Sequence, residues 1–269
     1  MEDVKGEVVI RDQSINLSDL CMSSNIGSGD LTMVYTTKTD QEATMGFELS
    51  LNDILVERLI SLFPDIDTLV PMLRSFEGMV DCQMTATCKA DSTMSVLLPS
   101  VNASCYLSGK NMVLLDGETF TEISKTLMFK NKKRNMIDSI AVDLAIHDNK
   151  IEVFPFLVEM DRYKVAVGGT HNLDMTFDYH LSVLKSPVPF KLGIDIKGNL
   201  DDFKFKKVKC KYKDFLKPTK QAELDSTRRN VREEIRETIR KQIREAAPEL
   251  GNSLSEIHPH THGHVEEST

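Results

Sequence analysis

Strict alternation of apolar and polar side chains constrains this chain more than any other feature. Met175, Phe177, Tyr179, Leu181 and Val183 point one way, and Thr176, Asp178, His180 and Ser182 the other. That is the period of a strand with one face in an apolar layer. Beyond the Pro-containing break at 185–189, Phe190, Leu192, Ile194 and Ile196 repeat the pattern. After the turn at 198–202, Phe203 and Phe205 begin a short strand. Upstream, Ile140, Val142, Leu144 and Ile146 alternate with small or polar residues, and the turn at 147–150 leads into a strand at 151–158. Tyr163, Val165 and Val167 form another, expected to end at Gly168 and Gly169. Leu31, Met33 and Tyr35, then Ala43, Met45, Phe47 and Leu49, flank a polar turn at 38–41 as a hairpin would. Strands joined by short turns pair antiparallel, so the expected class is mainly β, built on an antiparallel sheet.

Residues 1–217 are read as this β unit. Helical pieces are expected near 52–76 and 118–129, both as lids or end-plugs on the sheet. The first rests on Ile54, Leu55, Leu59, Leu62 and Phe63 at helical spacing, divided by Pro64 and Pro71. The stretch Gly27-Ser-Gly-Asp30 reads as a turn. From 218 to 250 the composition changes to a charged amphipathic helix, with Val231, Ile235, Ile239 and Ile243 every four residues among Arg and Glu. The first expectation for it is a solvated helix docked by that stripe. Contact with a membrane surface or a partner protein through its arginines is the alternative. Residues 251–269 read as a disordered polar tail.

A net charge of −8 gives the body no bulk attraction for nucleic acid or anionic lipid, and no nucleic-acid partner is expected. The opening residues have neither the positive nor the apolar region of a signal peptide, and no window holds the ~20 apolar residues of a bilayer span. The five cysteines (Cys21, Cys82, Cys88, Cys105, Cys210) are odd in number and lack metal-ligand spacing, so buried or half-buried free thiols are expected. Cys82 and Cys88, six apart on one strand, would share a face. Alternating imidazoles at 258–264 suit adventitious chelation on a flexible tail, and no metal site or cofactor is assigned. No catalytic fingerprint is present, so a non-enzymatic role is expected.

Each large side chain on the apolar face gains roughly 1.5–3 kcal/mol by leaving water. A long row of strands must therefore cover that face with a second sheet, close into a barrel, or fill a groove with acyl chains. A transmembrane barrel fits poorly, because aromatic girdles are missing.

Residues 109–129 and 165–205 resemble the C-terminal region of AsmA-family proteins. The shared positions are Gly109, Asp116, Gly117, Gly169, Asp174, Asp178, Tyr179, Pro189, Gly198, Asp201 and Asp202. The family pattern there is a Gly before a strand, a Gly-initiated strand with an Asp-Tyr core, a Pro break and an Asp-rich turn. The resemblance covers roughly residues 76–212 and implies a long twisted antiparallel sheet curled into a hydrophobic groove. It also implies a periplasmic place, anchored to the inner membrane, and a role in phospholipid transport and outer-membrane biogenesis. Phospholipid or another acyl lipid is then the expected ligand. The groove lining would be the apolar residues named above from Ile140 to Ile146 and from Tyr163 to Phe205. The chain departs from the pattern where Phe203 stands in place of a frequent Pro, and in carrying five cysteines, unusual for an oxidising periplasm. The family's N-terminal membrane helix is also absent, which implies a C-terminal fragment or truncated product. Two alternatives stay open: an assembly factor binding other envelope proteins, and a closed barrel holding one small lipophile.

Overall fold

The computed structural model describes residues 3–11, 13–24, 27–39, 42–62, 76–93, 95–114, 136–160, 163–172, 176–186, 191–199 and 202–246. They form one antiparallel sheet of thirteen strands. In chain order these are β1 (Asp3–Arg11), β2 (Ser14–Ser24), β3 (Gly27–Thr39), β4 (Glu42–Leu55), β5 (Phe76–Glu77), β6 (Met79–Asp91) and β7 (Asn102–Leu114). Then come β8 (Met136–His147), β9 (Lys150–Met160), β10 (Tyr163–Asn172), β11 (Phe177–Lys185), β12 (Leu192–Gly198) and β13 (Phe203–Val208). Each strand pairs with the next, except that two-residue β5 sits beside β7 in line with β6. β1 and β13 are both edges. The sheet is open, so the closed-barrel alternative does not describe it.

Among the described residues two α-helices accompany the sheet: α1 (Val56–Leu62) and α2 (Pro218–Ala246). Helix α1 tucks Val56 and Leu59 into the apolar cluster at the end of β4. The helical spacing at 52–76 is therefore only partly a helix, because Ile54 and Leu55 belong to β4. The cause is a β-bulge. Asp53 sits at φ 55°, and the register against β6 slips between Leu51 and Ile54. One extra residue changes the phase of the alternation, so Leu51 and Ile54 share a face although three apart, which mimics helical spacing. Asp19 at φ 50° does the same in β2, between Leu17 and Leu20. That slip hides β2 from a period-2 reading, and a separate slip between Lys5 and Glu7 disturbs β1.

Two further corrections concern glycine. Gly27–Asp30 is not a turn but the start of β3. Gly168 and Gly169 do not end a strand; β10 continues to Asn172. Both are spatial requirements. A Cβ on Gly168 would stand 2.9 Å from the Tyr212 hydroxyl and 3.0 Å from Pro155 Cα, and one on Gly169 would press on Tyr179. For the same reason Gly109 lies within β7 rather than before it, where a Cβ would meet Met112 and Val80. The expected helix at 118–129 and the tail at 251–269 lie outside the described residues.

The two faces of the sheet are covered differently. Helix α2 crosses the polar face. Its 29 residues span about 43 Å, enough to cross roughly nine strands spaced ~4.8 Å apart. Pro218 starts it and no Gly or Pro interrupts it. Val231 and Ile235 of the apolar stripe are half-buried, but arginines also dock the helix. Arg228 donates to the Pro155 carbonyl in β9 and lies 3.6 Å from Asp143 in β8. Arg232 pairs with the same Asp143 and stacks 5.3 Å over the Tyr106 ring in β7. Small buried side chains on this face (Ser104, Ala145, Ala166) permit the close approach.

The segment between β13 and α2 is clasped to the same face. Lys211 N–H donates to His180 Nε2 at 3.1 Å and Tyr212 N–H to Ser182 Oγ at 2.9 Å. With Nε2 accepting, Nδ1 carries the proton and donates to Asp195 Oδ1 at 2.6 Å. Phe215 is buried just beyond.

Candidate functional site

The opposite face is apolar from one edge of the sheet to the other, because the register aligns the apolar set of every strand. One row runs Val8, Leu17, Met33, Phe47, Ala86 and Ala103 across β1 to β7. It continues through Ile146, Ile151, His171, Phe177, Gly198 and Phe203 to β13. At the spacing of adjacent strands this path is about 50 Å long. A parallel row passes Leu31, Leu49, Met84, Cys105, Leu144 and Val153 and ends on Gly169, Tyr179, Ile196 and Phe205. A shorter one joins Phe156, Val167, Leu181 and Ile194, and its last member on β13 is Lys207. No charged residue stands in these rows before Lys207.

Every lining residue expected from sequence that lies among the described residues is on this face. Leu144, Ile146, Val165, Val167, Leu181, Val183, Ile194 and Ile196 are buried. Ile140, Val142, Tyr163, Phe177, Tyr179, Leu192, Phe203 and Phe205 are half-buried against them. Met175 and Phe190 lie outside the described residues, as do Asp116, Gly117, Asp174, Pro189 and Asp201. The face extends well beyond that list. Its other half, on β3 to β7, is sulfur-rich and small: Met33, Met45, Met84, Cys82, Cys88 and Cys105 beside Ala86 and Ala103. Of this half, the alternation of Leu31, Met33 and Tyr35 with Met45, Phe47 and Leu49 in the β3–β4 hairpin and the shared face of Cys82 and Cys88 were legible in the sequence.

Burial is uneven along the face. Ile194 and Val183 have no exposed surface, whereas Val8 and Ile10 on β1 are 54% and 72% exposed. Among the described residues, α1 is the only helix packed on this side, and no second sheet covers it.

Apolar surroundings govern the chemistry of the groups within the face. Burial pushes the Tyr179 phenol up to about 12. The neighbouring Cys82 thiol and burial hold Cys105 protonated well above the ordinary thiol range. The cysteines are free, with Cys82, Cys88 and Cys105 buried and Cys210 half-buried; Cys21 is exposed, contrary to expectation. Because the folded protein favours the neutral phenol, its contribution to stability is complete below pH ~10 and is lost as pH rises toward 12. Burial also pushes the Tyr212 phenol up, so the tyrosinate absorbance of the protein should contain late-titrating components, of which Tyr179→Phe removes the one near 12.

Asp195, His180 and Ser182 form a carboxylate–imidazole–hydroxyl series of the kind that activates serine nucleophiles. Here Ser182 has no exposed surface, and backbone N–H donors already occupy its Oγ and His180 Nε2. No substrate reaches either atom, so the series serves as a clasp. Among the described residues no cluster of three or more His, Cys, Asp or Glu could hold a metal ion, and no helix is long and apolar enough to cross a membrane.

No family model, curated protein or solved structure matches the chain. What it does must be argued from the face itself.

Proposed function

We propose that this chain is a non-enzymatic lipid-binding and lipid-transfer segment whose apolar face carries acyl chains across the strands. The observation that carries this reading is the row from Val8 to Phe203, apolar except at the buried His171, on a sheet that neither closes nor stacks on a second sheet among the described residues. Such a face must be kept from water, and hydrocarbon chains supply the same transfer energy as a second protein layer. Met-rich lining on one half suits an occupant of variable shape. With the AsmA resemblance, the reading extends to an envelope protein of the periplasm, inner-membrane-associated and contributing to phospholipid transport and outer-membrane biogenesis.

Solvent extraction and mass spectrometry of the purified chain test it. Phospholipid should be recovered from the wild type, and recovery should fall severalfold in Leu31→Ser/Met33→Ser/Phe47→Ser. These residues are half-buried, so the fold, followed by circular dichroism, should survive. Absence of lipid from the wild type, with a dry, fully packed face, would sink the proposal.

The second reading, an assembly factor for other envelope proteins, draws on the exposed charges of α2. Two of its arginines, Arg228 and Arg232, are already committed to Asp143, which leaves Arg229 and Lys241 among the exposed cations.

A further inference from the structure

The two edges of the sheet differ in charge. Residues 203–217, covering β13 and the segment after it, contain seven lysines and one aspartate in a chain of net charge −8. Lys204, Lys206, Lys207 and Lys209 are exposed. None has an ion-pair partner among the described residues. The carboxylates nearest in register are already engaged: Asp195 by His180 and Asp178 by Lys197 at 2.5 Å. Lys204 even stands directly opposite Lys197, an unfavourable cross-strand pairing. Lys204 and Lys206 project from the polar face, whereas Lys207 follows Phe203 and Phe205 on the apolar one and terminates the row through Leu181 and Ile194. The apolar face thus ends at this edge in a cationic rim.

A surface with uncompensated ammonium groups on both sides of an apolar margin matches a phospholipid: phosphate at the rim, acyl chains on the aromatic and aliphatic side chains. We infer that the β13 edge docks on the surface of an anionic phospholipid bilayer, bringing the end of the apolar face to the headgroup layer. Its second half rests on the lipid-carrying reading above; the docking does not. Each lysine near such a surface contributes about 1 kcal/mol, so the four supply a local attraction although the chain, at a net charge of −8, carries the same sign as the bilayer.

Flotation of the full chain with vesicles of phosphatidylcholine, with and without phosphatidylglycerol, tests the docking. Binding is expected only to the anionic vesicles, and it should disappear at ~0.5 M salt. The quadruple variant Lys204→Glu/Lys206→Glu/Lys207→Glu/Lys209→Glu should bind at least roughly ten-fold more weakly, whereas Arg229→Glu/Lys241→Glu on α2 should bind as the wild type does. Should the charge reversal disturb folding, the four Lys→Gln changes and the salt titration of the wild type carry the same comparison. Equal binding to neutral vesicles, or undiminished binding by a folded quadruple variant, overturns the docking. If that variant instead self-associates while its vesicle binding is unchanged, the lysines only guard an edge strand. Lipid content is measured separately: anionic-vesicle binding by a wild type that carries no extractable lipid keeps the docking and removes the conduit.

Discussion

Asp143→Ala is expected to lower the unfolding free energy by about 3 kcal/mol, at the lower end of the range for breaking a buried ion pair. Asp143 is the single carboxylate facing both Arg228 and Arg232, and its side chain is only 12% exposed. Removing it leaves Arg232 without an ion-pair partner among the described residues, and Arg228 with only the exposed Asp225 of its own helix at 3.4 Å. Arg232 is 28% exposed and keeps its stacking on Tyr106, which argues against the upper end of that range. The urea midpoint should fall while the slope of the transition stays unchanged. Arg232→Ala should cost less, since Arg228 still lies 3.6 Å from the carboxylate. A loss below about 0.5 kcal/mol for Asp143→Ala, the ordinary surface value, would mean that the Val231 and Ile235 stripe docks the helix alone.

Ile194→Ala is expected to cost about 3–4 kcal/mol, from lost transfer energy and the cavity left behind. Ile194 has no exposed surface and lies between Leu181 and Lys207 in register. The same three-carbon deletion is far cheaper where water already reaches the side chain. Ile10→Ala, at a position 72% exposed, should stay within about 0.5 kcal/mol. Paired urea titrations measure both. Similar losses at the two sites would contradict the burial gradient across the face.

Alternation made the sheet readable wherever it ran undisturbed. That is why the hairpin of β3 and β4 and the strands from β8 to β13 were recognisable, and why their apolar residues share one face. It failed where a bulge changed the phase. Asp53 turned the end of β4 into apparent helix, and Asp19 hid β2. Glycine misled for another reason. Gly168 and Gly169 carry the composition of a turn, but they are required by Tyr212 and Tyr179 packing against an extended strand. The Cys82–Cys88 relation depends only on separation within one strand and was legible. Asp143 with Arg232, 89 residues apart, and His180 with Lys211, 31 apart, depend on how the chain returns over its own sheet. No local pattern encodes that return. The lysines of β13 were in plain view, but their position at the end of an apolar row needs the strand register.

The order of the strands also bears on how the molecule forms. In a meander whose main-path strands bond only to their neighbours in sequence, pairing can proceed as the chain leaves the ribosome, without waiting for distant segments. Such an array resembles a stack of repeats, each stabilised by the two beside it and free to fray from either margin. Helix α2 is the exception. Made after the strands, it reaches back over segments synthesised long before, and its contacts on β3 to β9 tie early and late parts of the ladder together. Among the described residues α2 is the element that spans the sheet, so its docking is what would make distant parts of the ladder unfold together.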